Sequence, residues 1–192
     1  MSLIPAFEIG LWNAWILTVV DALTIPIFLR IVKNRQSPSP EKAMAGMSRV
    51  EQIILYASKV MFVPVLIYSI FVPLKLGTMW FYAGLAIFLT GLAVLTAATV
   101  NFATTTMDVP ITKGIYHYSR HPLYLASLLI YFSVGIASAS WVFLSFFVVQ
   151  SVFIRIAAVG EERYCLDKYG DAYREYMNRT PRWIGISKSV AK

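Results

Sequence analysis

The chain has 192 residues, of which 58% are hydrophobic and 14% are charged, and its mean hydropathy is +0.64. A soluble domain has roughly 45–50% apolar and about 25% charged residues, so this composition excludes an ordinary water-soluble core. The net charge of +7 comes from cations that flank apolar stretches rather than from a basic run, so we expect anionic lipid headgroups as their partners and no nucleic acid.

Three apolar stretches of membrane-spanning length occupy the first hundred residues. They cover about residues 11–32, 48–72 and 79–100, and a helix needs roughly 20 residues to cross a bilayer core. No basic segment precedes the first stretch, so we expect it to be retained rather than cleaved as a signal peptide. Asp21 and Lys59 are charges within these stretches, which either serve a function or pair with a neighbouring helix.

A loop separates the first two stretches. Residues 34–47, NRQSPSPEKAMAGM, are rich in proline, serine and charge, as is typical of a linker. Ser48 and Glu51 then have the spacing of a capping box, in which each side chain bonds to the backbone of the other residue. The second helix is therefore predicted to begin here.

The segment from Pro122 to Gly160 must fold back on itself. It contains about 39 residues with one formal charge, Arg155, and as a single helix it would be roughly 58 Å long, twice the bilayer core of about 30 Å. The sequence GIASAS, from Gly135 to Ser140, is the predicted turn. Spans four and five should therefore form a tight helical hairpin.

Beyond residue 160 the chain alternates charge with tyrosine and becomes soluble in character. This pattern predicts an amphipathic helix that lies along the membrane surface on the cytosolic side. The apolar positions at helical spacing are Tyr169, Ala172, Tyr173, Tyr176 and Met177.

Together these segments predict an all-α polytopic membrane protein with five transmembrane helices. We expect one membrane domain over residues 1–192, with a three-span scaffold in residues 1–100 and the chemistry in residues 101–192. Five spans place most cations on one side and only Lys75 on the other, so the N-terminus is predicted outside and the C-terminus in the cytoplasm. Small size favours a prokaryotic plasma membrane.

Two polar clusters flank the predicted hairpin at the same end. One is KGIYHYSRHPLY, residues 113–124, and the other is GEER, residues 160–163. Since spans four and five are antiparallel, His121 and Glu162 should share a site. The same residues also have purely structural interpretations. Arg120 and His121 could anchor a helix at the lipid headgroups, and Glu161 with Glu162 could form the solvated end of a helix. Arg155 could extend its guanidinium to the membrane interface. However, carboxylates at a helix C-terminus oppose its dipole by up to about 1 kcal/mol each, so they require a cation.

GIYHYSRHPLY, followed by EE and then YGDAYREYMNRTPRW, resembles the isoprenylcysteine carboxyl methyltransferase and phospholipid methyltransferase superfamily. The resemblance covers about residues 101–183 and is closest to a compact prokaryotic isoprenylcysteine enzyme. It implies S-adenosylmethionine as cofactor, S-adenosylhomocysteine as product, and a lipophilic acceptor that enters from the bilayer. The cofactor contacts that it implies are Asn101, Val109, Ile111, Tyr116, His121, Pro122, Tyr124 and Glu162, with Arg120 and Glu161 completing the motif.

Methyl transfer from a sulfonium is an in-line displacement. It requires orientation of the two reactants and exclusion of water rather than a nucleophilic residue. A carboxylate acceptor needs no base, and Arg155 could orient it. An amine acceptor would need Glu161 or His121 as base. The predicted catalytic residues are therefore Arg120, Glu161 and Arg155, with no metal and no obligate protein partner.

Three alternatives stay open. The first is phospholipid N-methylation. The second is an NADPH-dependent membrane sterol or steroid reductase, which needs cations for the 2′-phosphate, here Lys113, Arg120 and Arg163. The third is a membrane scaffold or transporter subunit with a polar path along Asp21 and Lys59.

Overall fold

The computed structural model describes residues 8–34, 48–106 and 108–185. The loop predicted over residues 34–47 lies outside the described part except for Asn34, which ends the first helix. The Asp21 and Lys59 side chains also lie outside it. Within it, the backbone is helical apart from connections and one isolated antiparallel bridge between Asn13 and Pro73. The helices are α1 (Trp15–Asn34), α2 (Arg49–Ser69), α3 (Met79–Thr104), a short 3-10 helix (Gly114–His117), α4 (Pro122–Ala137), α5 (Trp141–Tyr169) and α6 (Asp171–Arg179).

Three of these helices, α2, α3 and α5, are long and apolar enough to cross a membrane. Their outward surfaces carry large apolar side chains such as Val60 and Leu89, which only a bilayer would solvate. The chain is therefore an integral membrane protein. Helix α4 has 16 residues and the apolar part of α1 covers Trp15–Thr24, so five spans stay a prediction.

The start of α2 has the capping box that the sequence predicts. The Glu51 N–H donates to the Ser48 hydroxyl, and the Ser48 N–H donates to the Glu51 carboxylate over 2.8 Å. The same carboxylate pairs with Arg163 near the end of α5. The beginning of α2 and the end of α5 therefore lie on the same face of the molecule.

Close packing between α3 and α4 places the start of α4. A Cβ on Gly84 would lie 2.5 Å from the backbone nitrogen of Ala137, and a Cβ on Gly91 would lie 3.0 Å from the Ile130 side chain. Glycine at both positions lets the two helices approach along one seam, as membrane helices commonly do. The register of α4, and of the polar segment before it, is fixed by this seam.

The predicted hairpin is confirmed, with its turn between Ala137 and Trp141. Ala139 adopts a left-handed conformation (φ +49°), and the Ser140 N–H donates to the carbonyl of Gly135 over 3.0 Å. This bond closes the end of α4 in the manner of a Schellman cap. The end of α5 is thereby brought back beside the start of α4.

Helix α6 is amphipathic as predicted, but its tyrosine face is turned toward the protein. Tyr173 and Tyr176 are buried, and Asp171, Arg174 and Glu175 are exposed. The Tyr176 hydroxyl donates to the carbonyl of Tyr116 over 2.6 Å. Helix α6 is therefore docked beneath the segment that leads into α4, and contact between α6 and the membrane surface stays a prediction.

Candidate functional site

Three segments converge at the open end of the hairpin: the segment before α4, the last turns of α5 and residues 180–185 after α6. Pro122 occupies the first turn of α4, where its fixed φ suits a helix and its missing N–H is not needed. His121 comes immediately before it, and its backbone N–H donates to the Ser119 hydroxyl over 3.1 Å. These local bonds aim the His121 ring toward α5.

The Glu162 carboxylate is the centre of the convergence. Its Oε1 atom accepts from Arg120 Nη2 at 3.0 Å, from His121 Nε2 at 3.2 Å and from Arg182 Nε at 2.9 Å. Its Oε2 atom accepts from Arg182 Nη2 at 2.6 Å. The side chain is only 4% exposed. One buried carboxylate thus binds cations from each of two other segments, as a buried charge requires.

His121 lies between two carboxylates. Its Nε2 atom faces Glu162, and its Nδ1 atom lies 3.6 Å from Glu161 Oε2. Burial acts to lower the pKa of His121, but the hydrogen bonds to Glu161 and Glu162 outweigh it and raise the pKa above the usual 6.5. Since both ring nitrogens face acceptors, the imidazolium is the form that this arrangement stabilises.

Two aromatic rings lie next to the imidazole. The Tyr124 ring stacks on His121 with centroids 5.5 Å apart and an angle of 15° between the planes. The Trp183 ring is tilted against it at 6.1 Å. Such contacts favour a cation over these rings. They also fix the orientation of the imidazole relative to both carboxylates.

Two polar groups of the cluster have hydrogen-bonding capacity beyond the ion pairs. The Glu161 side chain is 45% exposed, and the Tyr124 hydroxyl donates to it. Arg120 is 9% exposed, and within the described residues its Nε atom is a buried donor without a partner. The cluster thus has one half-exposed acceptor and one buried donor that the ion pairs do not fully satisfy.

The segment after α6, residues 180–185, lies across the cluster, and we call it the C-terminal strap. The Arg120 N–H donates to the Pro181 carbonyl at 3.1 Å, and the Ser119 hydroxyl donates to the Arg182 carbonyl at 3.2 Å. The Gly185 N–H donates to the carbonyl of Tyr118 at 3.2 Å. The strap therefore runs along the segment before α4 and covers it.

The structure brings together Arg120, His121, Tyr124, Glu161 and Glu162, all named from the sequence. Their proximity, and above all the predicted meeting of His121 with Glu162, is confirmed. The sequence assigned Glu162 to the cofactor, but its oxygens are taken by cations of the chain itself. Glu161, assigned to the chemistry, is the accessible carboxylate.

Other predicted residues lie around this cluster. The Asn101 side chain packs against Gly114, where a Cβ would lie 2.2 Å from its Nδ2 atom and where φ is +62°. Tyr116 is buried beside Tyr176. Val109 is 49% exposed and Ile111 is half-buried in the connection before the 3-10 helix.

Arg155 is not joined to the ion pairs among the described residues. It is exposed on α5, seven residues before Glu162. Seven residues are two helical turns, so Arg155 lies in line with Glu162 on α5 and roughly 10 Å further along the helix toward the turn of the hairpin. A guanidinium at this depth requires a polar partner or an anionic headgroup.

Sequence reasoning missed Arg182 and Trp183. Both follow α6 in a stretch without helical or strand periodicity, so no pattern places them near His121. The signal that could have identified them is the ending TPRW of the motif, residues 180–183.

Comparison with known proteins gives two findings. The family described as phospholipid methyltransferase matches residues 72–172. Methanethiol S-methyltransferase 1 of Bradyrhizobium diazoefficiens is 32% identical over 79 residues, which are 41% of this chain and 27% of that protein. The aligned part thus spans about a quarter of the relative's length. The family match contains both polar clusters and ends before the C-terminal strap.

The raised pKa of His121 predicts a pH-dependent stability. Because the folded state binds this proton more tightly than the unfolded state, the stabilisation is complete below about pH 6.5 and is lost as the pH rises through the raised pKa. Thermal unfolding midpoints in detergent between about pH 5.5 and 9 should therefore fall with pH in this window. His121→Gln should flatten the curve, and identical slopes for both proteins would contradict the assignment.

Proposed function

The chain belongs to the phospholipid methyltransferase family, and on this premise we propose that it is an S-adenosylmethionine-dependent membrane methyltransferase. Its proposed acceptor is the carboxylate of a prenylated cysteine or a similar lipophilic molecule, methylated at the cytosolic membrane face. The observation that carries the proposal is the buried His121 ring, which lies between Glu161 and Glu162 at the mouth of the hairpin. The half-exposed Glu161 carboxylate and the Arg120 guanidinium, whose Nε atom is a buried donor without a partner among the described residues, belong to the same cluster.

The residues present fit the cofactor. Its amino-acid tail carries an ammonium and a carboxylate, and the cluster offers Glu161 as acceptor and Arg120 Nε as donor. The cluster contains three cations, Arg120, His121 and Arg182, against two carboxylates, so an anionic group is favoured there. The partly buried Tyr124 ring is suited to the adenine ring or the sulfonium, whereas Tyr116 is buried in the protein. Glu162 acts by holding Arg120 and His121 in place.

When bound, S-adenosylmethionine supplies a sulfonium methyl group that passes to an acceptor oxygen, while the sulfur keeps the electron pair of the broken bond. With a carboxylate acceptor, no proton moves. The chain then has to orient the acceptor and exclude water. His121 is not suited to act as a base, because the imidazolium is stabilised by two carboxylates. This supports an acceptor that is already ionised near neutral pH.

Arg155 is proposed to orient the acceptor. It is exposed on α5 two helical turns from Glu162, at a depth where a lipophilic molecule in the bilayer would present its head group. A guanidinium binds a carboxylate with two parallel hydrogen bonds and so fixes its plane. The acyl or prenyl part of the acceptor would stay among the apolar surfaces of the helices.

The proposed orientation places the cluster on the cytosolic side. The segment before α1 pairs with the residues after α2, since the Ala14 N–H donates to the Val72 carbonyl, and Lys75 lies at that end. Arg30, Arg49 and Arg163 lie toward the opposite end, with the cluster. This distribution supports a cytoplasmic C-terminus by the positive-inside rule. A prokaryotic plasma membrane is part of the same proposal.

A small thiol is the second candidate acceptor, because the relative with 32% identity is a methanethiol S-methyltransferase. A thiol, like the amine of a phospholipid, must lose a proton before it attacks. Glu161 is the accessible carboxylate that could take it. Its partner is the imidazolium of His121, which weakens Glu161 as a base, and this favours the carboxylate acceptor.

The reductase alternative is less well supported. Two of the three cations named for a 2′-phosphate are paired inside the chain, Arg120 with Glu162 and Arg163 with Glu51. Lys113 alone lies outside these two ion pairs. The transporter alternative depended on Asp21 and Lys59, whose side chains lie outside the described part.

Binding of S-adenosylhomocysteine tests the proposed cofactor. Isothermal titration in detergent should detect binding by the wild type, and Glu161→Gln should weaken it by roughly tenfold or more, the size of a lost charge-assisted hydrogen bond. Glu175→Gln, an exposed change on α6, is the matched control and should bind as the wild type does. Absence of wild-type binding, or equal affinity of the Glu161→Gln variant, would sink the proposal.

A panel of acceptors tests the substrate class. Purified protein with methyl-labelled S-adenosylmethionine should label N-acetyl-S-farnesylcysteine, and mild alkali should release the label as methanol, as expected for an ester. Arg155→Gln should raise the KM for this acceptor by roughly tenfold through loss of the bidentate contact. Alkali-stable label on phosphatidylethanolamine or on a small thiol, with none on the farnesylated acid, would contradict the carboxylate assignment.

A further inference from the structure

The C-terminal strap reaches the cluster through one side chain that lies outside the family match. Arg182 donates from Nε to Glu162 Oε1 and from Nη2 to Glu162 Oε2, at 2.9 and 2.6 Å. It is the one described cation that contacts both oxygens of this carboxylate. Arg120 and His121 contact Oε1 alone.

This two-point contact has a geometric consequence. A carboxylate held by a single donor can still rotate about its terminal bond, whereas a planar guanidinium with two parallel bonds fixes its plane. The contacts to Arg120 and His121 depend on where Oε1 points. The orientation of both groups therefore depends on Arg182.

A second route leads from Arg182 to His121. The Ser119 hydroxyl donates to the Arg182 carbonyl, and the same hydroxyl oxygen accepts the His121 N–H. The next residue, Trp183, tilts its ring against the imidazole. The strap thus contacts the His121 backbone through Ser119, its ring through Trp183 and its counter-ion through Arg182.

We propose that Arg182 is a positioning residue of the methyl-donor site, which fixes the Glu162 carboxylate so that Glu162 holds His121 and Arg120 in the orientation that receives the cofactor's amino-acid tail. The role in receiving the cofactor's amino-acid tail rests on the proposed function. The positioning of Glu162 and His121 by Arg182 does not, and it can be measured without any ligand.

The His121 imidazole reports on this geometry. The charged and titratable groups that face it are Glu161 and Glu162 on α5, Tyr124 on α4 and, across Glu162, Arg120 and Arg182. If Arg182 were only a nearby positive charge, its removal would strengthen the hold of Glu162 on the imidazolium and raise the pKa of His121. If Arg182 fixes Glu162, its removal lets the carboxylate turn away and lowers that pKa toward 6.5.

The test compares Arg182→Gln and Arg182→Lys with Arg174→Gln, an exposed change on α6 that serves as control. The first readout needs no cofactor. It is the pH at the midpoint of the fall in unfolding temperature, and His121→Gln, which lacks the titrating imidazole, is the reference. Arg182→Gln should move the midpoint down, and Arg182→Lys, which keeps the charge without the two-donor fork, should move it down by less. The control should leave it in place.

The second readout is the affinity for S-adenosylhomocysteine by isothermal titration. Arg182→Gln should weaken binding by roughly tenfold, with Arg182→Lys between it and the wild type. An unchanged or raised pH midpoint in Arg182→Gln would overturn the positioning role, whatever happens to affinity. If Arg182→Gln does not fold, the direction of the midpoint shift in Arg182→Lys decides between the same two outcomes. If the wild type binds no S-adenosylhomocysteine but the midpoint of Arg182→Gln still moves down, the proposed function is overturned and the positioning role is supported.

Discussion

At the open end of the α4–α5 hairpin, a single buried carboxylate is shared by three cations that come from two other parts of the chain. Glu162 is 4% exposed and contacts Arg120, His121 and Arg182 at distances between 2.6 and 3.2 Å. Helix α5 continues to Tyr169, so Glu162 lies about two turns before its end, where the sequence predicted a helix terminus. A buried carboxylate is nevertheless costly without counter-charges. Those counter-charges tie the start of α4 and the C-terminal strap to α5.

The packing of the helices brings the segments of this contact together. The glycine seam between α3 and α4 sets where α4 begins, and the turn at Ser138–Ser140 returns α5 to the same face. Tyr176 then docks α6 under the segment before α4, so the strap arrives above His121. The membrane helices thus act as a frame that delivers polar groups to one edge of the bilayer, where a polar cofactor and a lipophilic acceptor can both reach.

Much of this could be predicted from the sequence, because length and charge impose it. The stretch of 39 residues with one charge is too long for one span, which required the hairpin and hence the meeting of His121 with Glu162. The capping box at Ser48 and Glu51 was predicted from spacing alone. Each of these inferences rests on local chemistry or on a length that admits one solution.

Three features could not be predicted, since they depend on tertiary packing. Glu161 and Glu162 are neighbours about 100° apart on a helix, and the sequence does not say which one faces inward. The tyrosine stripe of α6 predicts an apolar face, but not whether protein or membrane covers it. Arg182 lies in a strap without periodicity, so only its docking reveals that it contacts Glu162.

The central claim is that Glu162 is a shared counter-ion at the hairpin mouth, and a double-mutant cycle tests it most directly. Arg120→Gln, Glu162→Gln and the double variant would be compared by their free energies of unfolding in mixed micelles. The claim predicts that the two losses are far from additive, with a coupling of about 2 kcal/mol, as found for buried charges in direct contact. Additive losses would show that the two side chains stabilise the fold independently and would contradict it.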